Sequence, residues 1–233
     1  MALDYPDLDG ALGCAEALAP LGARFKVGLE LFLRSGPAGV AAVQRVGGPV
    51  LLDLKLHDIP RTVGRAVHAV AGLGAWGVTL HATGGPVMLR EAVDAAASGT
   101  AAGPLRCLAV TVLTSVDEAL LRHLGVRASL KDQVQALARM GLASGCDGVV
   151  ASPHEVEAIR EATRPDFLVV TPGVRPAGVA RGDQARTATP AAAVRHGADF
   201  LVVGRAVTEA ADPVAAFTAV AEEVAAASGA GPV

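Results

Sequence analysis

Aromatic side chains are scarce in this sequence: they make up 3% of its 233 residues, as five Phe, one Tyr and one Trp. Without them there are no platforms on which successive bases could stack, so a surface for single-stranded nucleic acid is not expected. Positive charge is not in excess either. Twenty Lys and Arg stand against 23 Asp and Glu, for a net charge of −3, and the two signs are interspersed. A sequence-independent grip on duplex nucleic acid needs a basic face, so we expect no nucleic-acid partner and any anionic ligand to be held by a few local cations. Cysteine is limited to Cys14, Cys107 and Cys146. An odd number with no CxxC pair and no Cys/His clustering suggests neither a disulfide framework nor a zinc site, and all three read as small buried hydrophobes. Long apolar runs are missing too. Although 52% of residues are hydrophobic, Gly, Pro or charge breaks every run before it could span a bilayer. The first ten residues, MALDYPDLDG, hold three acids and neither a basic nor an apolar leader region. The expectation is a cytoplasmic protein with no membrane partner.

What the sequence does contain is a repeat of short aliphatic runs, each followed by an Ala/Leu-rich segment with helical spacing. Strands are predicted at Ala2–Asp4, Arg24–Glu30, Val50–Leu56, Gly77–His81, Leu105–Leu113, Gly148–Ala151, Phe167–Thr171 and Phe200–Val203. Helices are predicted at Asp7–Leu18, Ala38–Arg45, Thr62–Leu73, Pro86–Ala97, Lys131–Ser144, Pro153–Ala162, Pro190–His196 and Pro213–Ala227, several opening with Pro or an acid as a first turn prefers. Strand and helix alternating eight times imply a parallel sheet covered by helices. The length suits a (β/α)8 TIM barrel better than an open doubly wound sheet, and no GxGxxG follows the first strand. With no composition break or linker, residues 1–228 read as one domain and 229–233 as a frayed tail. Two connections are long, LTSVDEALLRHLGVRAS after the fifth strand and the Gly/Pro-rich PGVRPAGVARGDQARTAT after the seventh; both are expected to be lids or binding loops. The first strand is short, since a barrel strand runs about five or six residues.

Charge concentrates in LLDLKLHDIP, Leu51 to Pro60. Side chains alternate along a strand, so Asp53 and Lys55 share one face while Leu52, Leu54 and Leu56 share the other. In isolation this is also the pattern of a strand with one wet face. In a barrel, the leucines pack beneath the helices and the charged pair points inward near the C-terminal mouth, where barrel active sites are built. Charges there are costly to desolvate unless paired. Asp58, just past the strand, is placed to rim the mouth, and Lys26, with Gly28 beside it for close backbone approach, tops the neighbouring strand. Alone, Lys26 reads as a snorkelling surface lysine; beside the others it suggests an alternating Lys, Asp, Lys, Asp row that could hold fixed charge against a reacting group. VVGRAVT, Val202 to Thr208, closes the last strand with Gly204 and Arg205, and TPGVRP adds Arg175. By location this is a phosphate site.

These segments, ALD (2–4), KVGLELF (26–32), DLKLHDIPRTV (53–63), HATGG (81–85), TVLTS (111–115), TPGVRP (171–176), GDQARTATP (182–190) and VVGRAVT (202–208), resemble the orotidine 5′-monophosphate decarboxylase family along nearly the whole chain. The resemblance implies conversion of orotidine 5′-monophosphate to uridine 5′-monophosphate in pyrimidine biosynthesis, with no metal or organic cofactor. It implies a charged network of Lys26, Asp53, Lys55 and Asp58, with Lys55 as proton donor to C6 and Asp58 delivered to the partner's site in a homodimer. It further implies that Asp4 and Lys26 hold ribose hydroxyls with help from the partner's Thr62, that Thr114 lies by the pyrimidine ring, and that Pro172 closes over it. Gln184, Arg205 and the Gly204 backbone would bind the phosphate, with Arg175 nearby. His81 is read as structural, and Arg61 has no assigned role. The nearest alternative is a magnesium-dependent sugar-phosphate decarboxylase or aldolase on the same barrel, which also uses Asp-x-Lys-x-x-Asp. A catalytically silent nucleotide-binding barrel is the alternative outside enzymes.

Overall fold

The computed structural model describes residues 1–98, 104–176 and 187–229. Seven strands, β1 Lys26–Gly28, β2 Leu51–Leu56, β3 Gly77–His81, β4 Arg106–Val110, β5 Gly148–Val150, β6 Leu168–Thr171 and β7 Phe200–Leu201, pair in chain order, every neighbouring pair parallel. Parallel neighbours need a long crossover, and helices provide it: α1 Leu8–Leu18, α2 Leu29–Gly47, α3 Pro60–Ala71, α4 Gly85–Ala97, α5 Glu118–His123, α6 Leu130–Ala143, α7 Val156–Ala162, α8 Pro190–Arg195, α9 Arg205–Thr208 and α10 Pro213–Ser228. Side-chain oxygens of Asp7, Asp117, Ser129, Thr189 and Asp212 cap the N-termini of α1, α5, α6, α8 and α10, satisfying amides that would otherwise lack partners.

The period-two alternation sorts the strands into two layers. Val27, Leu52, Val78, Ala109, Val149 and Val169 face the helices in the main core, each large aliphatic contributing about 1.5–3 kcal/mol by burial. Leu51, Leu108 and Val170 form a separate inner cluster, joined by Trp76, Val150, Phe200 and Val202. Cys107 and Cys146 are buried, as expected, and burial pushes both thiols up, Cys146 to about 12; Cys14 is only half-buried. Among the described residues no helix is long and apolar enough to cross a membrane.

Three expectations change. The predicted strand Ala2–Asp4 is reduced to one parallel bridge, Ala2 to Lys26, because Pro6 and the Asp7 cap turn the chain into α1 at once. The segment nevertheless bonds on both sides: Lys26 N donates to Met1 O at 2.8 Å, Leu3 N to Lys26 O at 2.9 Å, and Ala2 N to Val203 O at 2.7 Å. Leu29 and Glu30 belong to a helix rather than to the second predicted strand. Gly28 ends β1 in an extended conformation, Glu30 supplies an acid to the first turn of α2, and α2 then bends at Gly36 (φ 56°) before Pro37. The long connection 113–129 carries helix α5, capped by Asp117, and is not a bare loop. Of the other long connection, 177–186 lies outside the described residues, as do residues 230–233 of the predicted tail.

Candidate active site

Beyond the C-terminal ends of the strands lies a cleft of about 220 Å³, lined by Asp4, Lys26, Asp53, Lys55, Thr79, Thr114, Ser152, Pro172, Arg175, Gly204 and Arg205 among others. Its charged floor follows from the register of two short strands. Gly28 pairs with Asp53 across β1 and β2, so Lys26 and Asp53, both on the inner face, come together. Lys26 Nζ lies 3.2 Å from Asp53 Oδ2 and 3.2 Å from Asp4 Oδ1, while Lys55 Nζ lies 2.7 Å from Asp53 Oδ1. The chain Asp4, Lys26, Asp53, Lys55 therefore alternates in sign. A Cβ on Gly28 would sit 3.0 Å from Asp4 Oδ1 and 3.2 Å from Lys26 Nζ, which is why a glycine stands beside the first pair.

Asp53 is the centre of this arrangement. Burial alone would raise its pKa, but Lys26, Lys55 and hydrogen bonds from Lys55 and Thr79 outweigh that and hold the carboxyl below its ordinary value. Thr79 donates to Asp53 Oδ1 at 2.9 Å. Sequence reading missed this residue, although a lone hydroxyl in the apolar strand GVTLH, on the same face parity as His81, was the available signal. His81 lies against His57 with ring centroids 5.3 Å apart and the rings tilted by 45°. Its pKa is lowered by burial first and then by His57 and Lys55, against the pull of Asp53.

The remaining expected residues divide. Thr114, Pro172, Arg175, Gly204 and Arg205 all line the cleft. Arg175 is 8% exposed, and its Nε is buried with no hydrogen-bond partner among the described residues; its backbone N donates to Ala188 O at 2.9 Å, so its own segment is tied down. Asp58 and Thr62 stand apart, both exposed. Asp58 Oδ1 accepts from the Ile59 amide at 2.7 Å, and neither residue lines the cleft. Within one chain the alternating row therefore runs through Asp4 and does not continue to Asp58. Gln184 lies outside the described residues.

Two lysines and two aspartates on the floor of a cleft that opens at the C-terminal ends of a parallel, helix-covered sheet define an enzyme-type site. The model of the orotidine 5′-phosphate decarboxylase / HUMPS family matches residues 1–220, and the chain belongs to that family. It is 52% identical over 220 residues to the orotidine 5′-phosphate decarboxylase of Anaeromyxobacter sp. (strain K), covering 94% of this chain and 95% of that one. It is 50% identical over 225 residues to the enzyme of that name from Thermobifida fusca, covering 96% and 94%. The crystal structure of orotidine 5′-phosphate decarboxylase from Lactobacillus acidophilus superposes with a TM-score of 0.84 at 40% identity, covering 96% of each chain.

Proposed function

We propose that this chain decarboxylates orotidine 5′-monophosphate to uridine 5′-monophosphate without a cofactor, with Lys55 as the proton donor. The observation that carries this reading is that both carboxylate oxygens of Asp53 are claimed by cations, Oδ1 by Lys55 and Oδ2 by Lys26. When the bond from C6 to the carboxylate breaks, the electron pair stays on C6 in the ring plane, where the π system gives little help. Carbon dioxide leaves, and the ammonium of Lys55, held rigid by Asp53, stabilises the carbanion and delivers a proton to C6. Solvent then reprotonates the lysine. The same geometry disfavours the magnesium-dependent sugar-phosphate reading, because a divalent cation on Asp53 would have to sit beside two ammonium groups.

Asp4 and Lys26 hold the ribose hydroxyls, Thr114 and Pro172 bound the pyrimidine, and Arg175, Arg205, Gly204 and Gln184 take the phosphate. The buried Arg175 Nε, without a hydrogen-bond partner among the described residues, supports an anion at that end. Binding energy from the phosphate, remote from C6, drives closure and water exclusion. The scaffold is a single (β/α)8 barrel, residues 1–228, with the segment at Met1–Leu3 as its short first strand; the bonds of that segment to Lys26 and to Val203 support this. The protein works in the cytoplasm as a homodimer in which Asp58 and Thr62 reach the partner's site. Their exposure beside Ile59, which is 67% exposed, supports an interface there.

The test is consumption of orotidine 5′-monophosphate by the purified protein in the presence of EDTA, followed by ultraviolet absorbance; turnover of a sugar phosphate with magnesium and none of the nucleotide would establish the alternative. Shared sites have a separate test. Mixed Lys55→Ala and Asp58→Ala proteins should regain roughly a quarter of the wild-type rate, since half the dimers are hybrids and each holds one intact site of two. No recovery after verified subunit exchange would mean that each chain works alone.

A further inference from the structure

Lys55 is the one non-glycine residue with positive φ among those described, at 48°. Strand β2 is irregular at this point: Leu52 pairs with Val78 and Leu56 with Leu80, so four steps along β2 are matched by two along β3. Extra residues of this kind break the ladder and re-aim a side chain, and they recur beside active sites. Within this interruption the Lys55 amide turns to a side chain of β3, Lys55 N donating to Thr79 Oγ1 at 2.9 Å. Thr79 is 1% exposed. Because its oxygen accepts from Lys55, its single hydrogen is directed to Asp53 Oδ1, the same oxygen that Lys55 Nζ holds. Backbone amide, hydroxyl, carboxylate and ammonium thus close one ring.

We propose that Thr79 is a positioning residue for the reaction: its hydroxyl pins Lys55 in the left-handed conformation and fixes the Asp53 oxygen against which the Lys55 ammonium is aimed. A strained backbone persists only where its surroundings over-determine it, and here one hydroxyl supplies both constraints. Valine keeps the branched shape, suits a strand and removes both bonds at once. Serine keeps the hydroxyl.

This inference rests on Lys55 acting as proton donor, so wild-type turnover of orotidine 5′-monophosphate is measured first. Thr79→Val should lower kcat by about 10- to 100-fold, the range for losing a hydrogen bond to a charged group, and leave KM within about threefold. Thr79→Ser should return kcat to within about threefold of wild type. A nucleotide carrying an anionic oxygen at C6 should lose affinity for Thr79→Val in step with kcat, while uridine 5′-monophosphate binds as before. A Thr79→Val kcat within twofold of wild type, a loss confined to KM, or a serine variant as impaired as the valine variant overturns the proposal. Should Thr79→Val not fold, Thr79→Ala is compared with Thr79→Ser: an alanine kcat at least about tenfold lower supports the role, and equal values overturn it. A wild-type protein without turnover would sink the functional reading alone. The positioning claim would still be decided by a crystal structure of Thr79→Val or Thr79→Ala, in which Lys55 should relax to negative φ; an unchanged φ would reject it.

Discussion

At the C-terminal end of the sheet, Asp4, Lys26, Asp53 and Lys55 meet in a cleft of about 220 Å³. At the N-terminal end, Phe25, Trp76, Phe200 and Phe217 line a cavity of about 320 Å³ that also includes Arg24. Lys26, Leu51, Val170 and Val202 line both, so a single layer made of three aliphatic side chains and the Lys26 stem separates two environments built on the same strands. Among the described residues, no carboxylate lines the larger cavity. Two arginines at this end lie over rings: Arg106 is 5.0 Å from the Trp76 centroid and Arg24 5.7 Å from that of Phe200, with Trp76 and Phe200 edge to face at 5.1 Å. Such contacts are worth about 0.5–1 kcal/mol at exposed sites and tolerate small displacements. At the other end each lysine is held by a carboxylate at 3.2 Å or less, so charge stays in place while a reaction changes the charge beside it. Volume alone is therefore a poor guide to where chemistry happens in this molecule; paired, half-buried charge is the better one.

If this contrast is right, substitutions at the two ends should separate activity from stability. The largest effect is expected for Lys55→Ala, a loss of at least about 10³-fold in turnover with uridine 5′-monophosphate still bound, because donor and stabilising cation vanish together; single-turnover absorbance measures it, and full activity would remove the assigned donor. Trp76→Ala should do the reverse. It should cost about 2–3 kcal/mol in denaturant unfolding, somewhat below the range for a fully buried tryptophan, with kcat and KM within about twofold of wild type. A large loss of kcat there would show that the two ends are coupled through the shared aliphatic layer. Gly28→Ala should raise KM by up to about tenfold by pushing Asp4 and Lys26 apart, with a smaller change in kcat; an unchanged KM would mean that the pair can shift without consequence.

The smallest effect is on acid stability. His81 is half-buried with its pKa below the ordinary 6.5, so the unfolded chain takes up its proton first and stability begins to fall as pH drops below that value. Asp53, held below its ordinary 3.8, contributes stability that is complete above that value and is lost as pH falls further, through its lower native pKa. Both losses run in the same direction. His81→Gln should flatten the upper window and Asp53→Asn the lower, read from unfolding midpoints across pH; a stability curve that His81→Gln leaves unchanged would assign the upper window to another group.

Much of the site is legible in the order of residues. The alternation in LLDLKL puts Asp53 and Lys55 on one face, and Lys26, Gly28, Arg175, Gly204 and Arg205 fall in or beside the expected cleft. Other features are not legible there. The break in register opposite Thr79 leaves no mark in β2, whose letters read as an unbroken strand. Helix α5 is hidden because a short run such as EALLRH has too few turns to display a period. Asp58 reads as a neighbour of Lys55, yet the turn after β2 directs its carboxylate to the Ile59 amide.

Neighbouring positions in the chain were enough to settle which residues share a face, where most helices begin, and which family the motifs match, because strand parity, helix caps and motif spacing are written over short stretches. Which charges meet was left to the folded molecule. Lys26 reaches Asp53, Asp4 reaches Lys26, and the Thr79 hydroxyl closes on Lys55 across separations of 22 to 27 residues. Such distances are bridged only when strands pair in one register, and register is set by the packing of the whole sheet against its helices rather than by any local stretch of chain.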